Sequence, residues 1–357
     1  MKVGFLETYQ NLKLPEKENI LRIKKVFEKF GHEFFVLSPS GQDENGKHAD
    51  LLGLDFVFTP DNAVDGMKIM PDCLSLSVGW VPCGYLLYSK FQSFASGIDE
   101  FDGYVPAFES VSTDYILNNF ANNFIKIDDY FYPSVSKDSV IEPKLPENYK
   151  IFYVGINLDK GKSKGRHYSL LKALDDKNIL QLHGPDKIGD IVCGEGFKNY
   201  SGEIPFDGVS ILNKISEAGI CLAFQSKIHN IEEYVTNRIY EACASGAVII
   251  TDDNPKVRNI FKDSIYYVDI FQDEEKIIDD VLNIYNSIIE NPKLAYEKAK
   301  KAQEIFLNNF TLEKSVENII LACDKVYKDI NNKEKQIEPV DVIAFVDNQQ
   351  DFENINK

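Results

Sequence analysis

The sequence predicts an α/β chain folded as two lobes with a ligand cleft between them. Its 357 residues are enough for two domains. Short apolar runs alternate with segments of helical spacing, the signature of parallel sheets flanked by helices. Residues 140–148, which include Pro143 and Pro146, read as a linker between two such series.

The first series opens on Lys2–Leu6, a short apolar strand. Residues 16–30 carry Ile20, Ile23, Phe27 and Phe30 at helical spacing and stop at Gly31. Residues 34–37, 54–58 and 73–81 read as further strands, followed by a less regular, aromatic-rich stretch. The second series begins with a strand at 151–154 and a helix at 168–174. A strand at 179–183 ends in Gly184-Pro185, and a helix at 209–218 precedes a strand at 220–224. The helix Asn237–Ala244 and a strand at 247–251 complete it. Three strongly periodic segments, 274–290, 294–306 and 312–330, end the helical part. Residues 331–338 are polar, and 340–346 read as a fresh strand, which predicts a further domain of a longer protein starting near Pro339. The expected divisions are 1–145 for the first lobe, 146–310 for the second, 311–330 for a final helix, and 331–357 for a linker and the start of that domain.

Composition narrows the function. Hydrophobic residues at 44% and charged residues at 27% provide for a packed core. A net charge of −17 argues against nucleic acid and anionic lipid as main partners, since both require a basic face. The six cysteines (73, 83, 193, 221, 243 and 323) include no C-x-x-C, so neither zinc nor a redox pair is indicated, and a reducing compartment fits. The apolar stretch 73–88 is broken by Gly79, Pro82 and Gly84, which excludes a membrane span. A cytoplasmic location is expected, with peripheral attachment at the inner membrane face left open. No D-x-D occurs, which favours chemistry without a metal, and Asp252-Asp253 reads as a helix cap.

The segment 232–246 carries the strongest site signal. It follows a strand, so its loop emerges at that strand's carboxyl end, where open α/β sheets bind ligands. Thr236 is a good N-cap, and the free N–H groups of the next turn suit a diphosphate. Glu233 precedes the helix and Glu241 lies within it. A carboxylate accepts two hydroxyl hydrogen bonds, as a ribose diol requires. Ala242, Cys243 and Ala244 let the helix lie close to the sheet, and Gly246 ends it. The bland alternative is a pair of ordinary helix-end charges.

Glu233-x7-Glu241, followed by Ala-Cys-Ala-Ser-Gly and an apolar strand, resembles the E-x7-E motif of family 4 retaining glycosyltransferases with the GT-B fold. The resemblance covers the second lobe from Tyr153 to Val268 and, in the first, only the helix–strand step 30–37. It implies two Rossmann-like lobes, a final helix that packs back on the first lobe, and a nucleotide-sugar donor in place of any cofactor. It also implies a saccharide or lipid-linked saccharide acceptor, as in surface polysaccharide or glycan assembly. Glu241 would bind the donor ribose and Glu233 the donor sugar. The family usually has glycines between the two Glu residues. Here Tyr234, Val235, Thr236 and Asn237 stand there, so either the phosphates sit further off or Thr236 and Asn237 help to bind them.

Lys160, Lys162, Lys164 and Arg166, with His167, form a basic island after the strand 151–154. In so acidic a chain it suggests phosphate binding. Enzymes of the resembling family neutralise the donor diphosphate in this region, which places Arg166 and Lys164 first and Lys162 next. The alternative is a solvated lysine loop. Gly155 and Gly161-Lys162-Ser163 nearly spell a P-loop, with one residue too many between the glycines. His183 and Gly184 end a strand facing the cleft, where His183 could meet the base or sugar. Arg238 could reach phosphate or pair with Glu241 or Glu232. Ser226, Lys227, Glu7 as a base in an inverting reaction, and the aromatics Trp80, Tyr85 and Tyr88 are weaker candidates. An inverting GT-B transferase and a non-catalytic saccharide-binding module are the alternatives.

Overall fold

The structure is a computed structural model describing residues 1–7, 16–59, 73–79, 101–108, 114–115, 118–119, 125–126, 130–145, 148–155, 167–188 and 191–336. The predicted strand at 340–346, the aromatics Trp80, Tyr85 and Tyr88, and the basic residues Lys160, Lys162, Lys164 and Arg166 lie outside them.

The first lobe is a six-stranded parallel sheet in the order β2-β1-β3-β4-β5-β6. Its strands are β1 (Lys2–Leu6), β2 (Glu33–Leu37), β3 (Phe56–Thr59), β4 (Leu74–Gly79), β5 (Gly103–Pro106) and β6 (Ile125–Lys126). Helix α1 (Glu16–Lys29) packs Ile20, Ile23, Val26 and Phe27 against an aromatic core of Phe5, Phe34, Phe56 and Phe58. Phe5 and Phe58 meet edge-on at 5.0 Å between ring centres, the geometry the ring quadrupoles favour.

The second lobe is a five-stranded parallel sheet in the order β13-β12-β11-β7-β8. Its strands are β7 (Lys150–Val154), β8 (Leu180–His183), β11 (Gly219–Leu222), β12 (Val248–Asp252) and β13 (Tyr266–Val268). Between β8 and β11, β9 (Lys187–Ile188) and β10 (Ile191–Val192) form a small antiparallel hairpin. Helices α2 (Tyr168–Asp176), α3 (Ser210–Ala218), α4 (Lys227–Ile231), α5 (Asn237–Ala244) and α6 (Pro255–Phe261) connect the strands. Helices α7 (Glu274–Glu290) and α8 (Pro292–Asn309) close the lobe. β12 is buried along its whole length, as expected of a parallel strand covered on both faces.

Counting strands from the start of each lobe, the second sheet runs 2-1-3-4-5, the flavodoxin-like doubly wound order, and the first runs the same way with a sixth strand added at the end. The crevice where that order reverses lies at the carboxyl ends of β7 and β11 in the second lobe. The chain runs from the last first-lobe strand, β6, to the first second-lobe strand, β7, through residues 127–149.

The last helix, α9 (Leu312–Gln336), returns to the first lobe. Leu312, Val316, Ile319, Cys323 and Val326 repeat at alternating four- and three-residue steps and join the first-lobe core. Glu313 fixes the start of this return. Its carboxylate accepts hydrogen bonds from Ser136 Oγ at 2.7 Å and Lys137 N at 3.0 Å, and pairs with Lys29 at 3.2 Å.

Candidate functional site

Helix α5 forms as its sequence predicts. Thr236 caps it through Oγ1, which accepts from Arg238 N. Ser245 closes it, and Gly246 turns the chain into β12 at φ +64. A Cβ at Gly246 would meet Pro143 Cα at 2.7 Å, so the interlobe linker requires glycine there for space as well as conformation. The next cap falls on Asn254, whose Oδ1 accepts from Lys256 N and Val257 N. That corrects the expectation for Asp252, which is wholly buried. Its carboxylate takes Gln225 N at 3.0 Å and Asn230 Nδ2 at 2.7 Å and so shapes the loop after β11.

A cavity of about 310 Å³ opens at the carboxyl ends of β7 and β8. Val154, Gly155, Gly184 and Pro185 line it from the strands, and Asn237, Arg238 and Glu241 from α5. Residues 203–206 form a further wall, and Glu18 reaches it from the first lobe. The two glycines bring the strand ends close together: a Cβ at Gly184 would lie 2.9 Å from Gly155 O.

Glu241 is 2% exposed. Arg238 Nη1 donates to its Oε2 at 2.5 Å, and Arg22 Nη1 donates to its Oε1 at 2.8 Å. Burial pushes the Glu241 carboxyl upward, but the two guanidinium groups outweigh it and hold the group below its ordinary value. Of the two roles open to Arg238 in the sequence, the structure shows the pairing with Glu241. Arg22 comes from α1 of the opposite lobe, and sequence reading missed it. Its Nη2 donates to Glu18 at 3.0 Å and its Nε to Gly208 O at 3.1 Å.

The other candidates separate. His183 is a buried structural residue and does not line the cavity. Its Nδ1 donates to Gly202 O at 3.1 Å and its Nε2 accepts from Gln181 Nε2 at 3.1 Å, so both ring nitrogens are engaged within the lobe. Burial lowers its affinity for a proton. His183 thereby holds the strand-like run 199–202 that leads into the cavity wall. Asp175 anchors the same run, accepting from Asn199 N at 2.9 Å and Asn199 Nδ2 at 2.8 Å. Ser226 caps α4. Lys227 lies over the Phe271 ring at 5.4 Å and lines a different cavity, of about 210 Å³. Glu7 lies 3.9 Å from Lys17.

Tyr234 and Val235 explain the missing glycines. Tyr234 joins the first-lobe core, its ring meeting Phe108 edge-on at 4.1 Å between centres. Val235 is buried in the second-lobe core. Both are interlobe or core packing residues. Glu233, just before them, is exposed and sits at φ +55, in the left-handed region where the chain leaves α4. That conformation costs a non-glycine residue about 1–2 kcal/mol. Glu233→Gly is therefore expected to raise stability by about 0.5–1 kcal/mol after allowing for the greater entropy of the unfolded glycine chain. The urea midpoint should rise with an unchanged slope. A midpoint that stays or falls would remove the strain.

Residues 166–320 match the family described as glycosyl transferase-like. Sucrose-phosphate synthase from Thermosynechococcus elongatus superimposes with a TM-score of 0.63 at 10% identity, over 93% of this chain and 100% of that one. Anabaena HepE, in complex with UDP-glucose, does so with a TM-score of 0.59 at 12% identity, over 93% and 100%. An alpha-glucosyltransferase in complex with UDP gives 0.61 at 11% identity, over 91% and 100%. No curated relative matches the chain.

The chain has the GT-B fold, and residues 166–320 of it carry the glycosyl transferase-like match.

Within this fold the described cavity belongs to the second lobe, and Glu18 of α1 reaches it from the first. Among the described residues, no helix is long and apolar enough to cross a membrane.

Proposed function

We propose that the protein moves a sugar from a nucleoside diphosphate sugar to a saccharide or glycoconjugate acceptor, without a metal and with retention at the anomeric carbon. The observation that carries the reading is the cavity at the ends of β7 and β8, with Glu241 in its wall. Its volume is at the lower end of small-ligand sites, enough for a nucleoside. In this reading the Glu241 carboxylate accepts the ribose hydroxyls. Each of its oxygens has a second lone pair beyond the one used by arginine. Asn237 and Thr236 stand at the first turn of α5, where free N–H groups favour the diphosphate. Gly184 lines the cavity at the end of β8.

Lys162, Lys164 and Arg166 lie in the sequence between β7 and α2. They would balance the charge that develops on the leaving diphosphate as the sugar–phosphate bond breaks. Glu233 is assigned to the donor sugar. UDP-glucose in HepE and UDP in the alpha-glucosyltransferase make uridine diphosphate the first probe to try.

The test is a thermal-shift and calorimetry panel of UDP, GDP, ADP and their glucose conjugates, with and without EDTA. One of them should bind and raise the melting temperature. At a hundredfold excess over Kd, mass action stabilises the fold by about 2.7 kcal/mol. EDTA should leave both binding and sugar transfer unchanged. Failure of the whole panel to bind would sink the donor assignment, and loss of transfer in EDTA would sink the metal-free one.

A further inference from the structure

The proposed donor site has a component that the two-Glu motif does not contain. Arg22 is 4% exposed, and every nitrogen of its guanidinium group has a partner: Glu241 at Nη1, Glu18 at Nη2 and Gly208 O at Nε. Glu18 Oε1 also accepts from Gly208 N at 3.0 Å. Helix α1 of the first lobe therefore grips both main-chain groups of Gly208. That glycine, at φ +90, lies two residues beyond the wall formed by residues 203–206. The same helix grips Glu241 on α5, the other wall. Glu18 lines the cavity itself, and its Oε2 is buried without a partner.

Four charges meet here, Glu18, Arg22, Glu241 and Arg238, and they sum to zero. Removing ions from water costs several kcal/mol each, so such a cluster is a poor source of stability. What it provides is geometry. A guanidinium fork fixes direction as well as charge, which an ammonium group cannot do.

We infer that Arg22 is a positioning residue of the donor site: it orients the Glu241 carboxylate against residues 203–206, so the nucleoside site is complete only when the first lobe is docked. Glu18 anchors Arg22 in this role and offers Oε2 as an acceptor for an N–H or O–H group of the nucleoside. The inference rests on the donor reading above and deepens it.

The test measures Kd for the nucleoside diphosphate that the panel selects, by calorimetry well below the melting temperature, on wild type, Arg22→Met, Arg22→Lys and the exposed-face control Glu28→Gln. Arg22→Met should weaken binding at least tenfold and Arg22→Lys by an intermediate factor, with Glu28→Gln at the wild-type value. In Glu241→Gln, the further change Arg22→Met should have little effect, since the group being oriented is gone. A purely structural role would lower the melting temperature of the variants but leave Kd of the folded protein alone. Unchanged binding in Arg22→Met overturns the inference. Tighter binding overturns it too, because Arg22 would then be a competitor for Glu241. If Arg22→Met does not fold, Arg22→Lys decides by the same Kd criterion. Lack of binding by the wild type is a different result, and removes the donor reading instead.

Discussion

Replacing Glu241 with alanine is expected to lower the unfolding free energy by about 3–5 kcal/mol, the cost of breaking a buried ion pair from one side. The substitution leaves Arg22, 4% exposed, facing Arg238 with no anion between them. Chemical denaturation of wild type and Glu241→Ala measures the difference. A loss below about 1 kcal/mol would mean that the arginines find other partners or water, and that the cluster is not the closed unit described. Acid should erase the contribution. The folded-state carboxyl of Glu241 lies below its ordinary value, so its stabilisation is complete above the unfolded value of about 4.3. It is lost as pH falls through the lower folded value. Glu18 runs the other way: burial raises its carboxyl despite Arg22, so its ionisation costs stability that acid returns. The Glu241→Ala deficit should therefore be constant around neutrality and shrink only in acid.

Tyr234→Ala is the second large expected effect. Truncating a buried aromatic costs about 3–5 kcal/mol, and this one stands between two lobes. The main chain around it has other anchors: Tyr234 N donates to His229 O at 2.8 Å, and Tyr234 O accepts from Asn254 Nδ2 at 3.1 Å. The loop should therefore keep its path while the first-lobe core loses a ring. A double-mutant cycle with Phe108→Ala isolates the contact, which should show a coupling of about 0.5–1.5 kcal/mol. Strict additivity would show that the 4.1 Å approach carries no energy of its own.

These two residues show where sequence reading reaches and where it stops. Helix α5 was legible end to end, because Thr236 and Gly246 are local signals whose meaning does not depend on the rest of the chain. The return of α9 was legible from the resemblance, and its apolar spacing agrees with it. Arg22 was not legible. A Glu–Arg pair four apart on a helix ordinarily faces water, and the partner that buries this one is 219 residues away. The short strands β5, β6 and β13 have four, two and three residues, too few for a periodic signal. His183 was placed at the right strand end, but only coordinates reveal that Gln181 and Gly202 use both its nitrogens. Tyr234 looked like a departure from a glycine pattern; the first lobe that receives it gives the departure its reason.

The chain passes between the lobes twice, and the two passages are sewn to each other. Ser134 Oγ donates to Phe310 O at 2.5 Å, Leu312 N donates to Val135 O at 3.0 Å, and Tyr132 N donates to Ser315 Oγ at 3.0 Å. Two tethers joined side by side behave as one hinge pin, which permits swinging and resists sliding or twisting. The guanidinium of Arg22 joins the lobes at a separate point, bridging α1 to Glu241 and to Gly208 O.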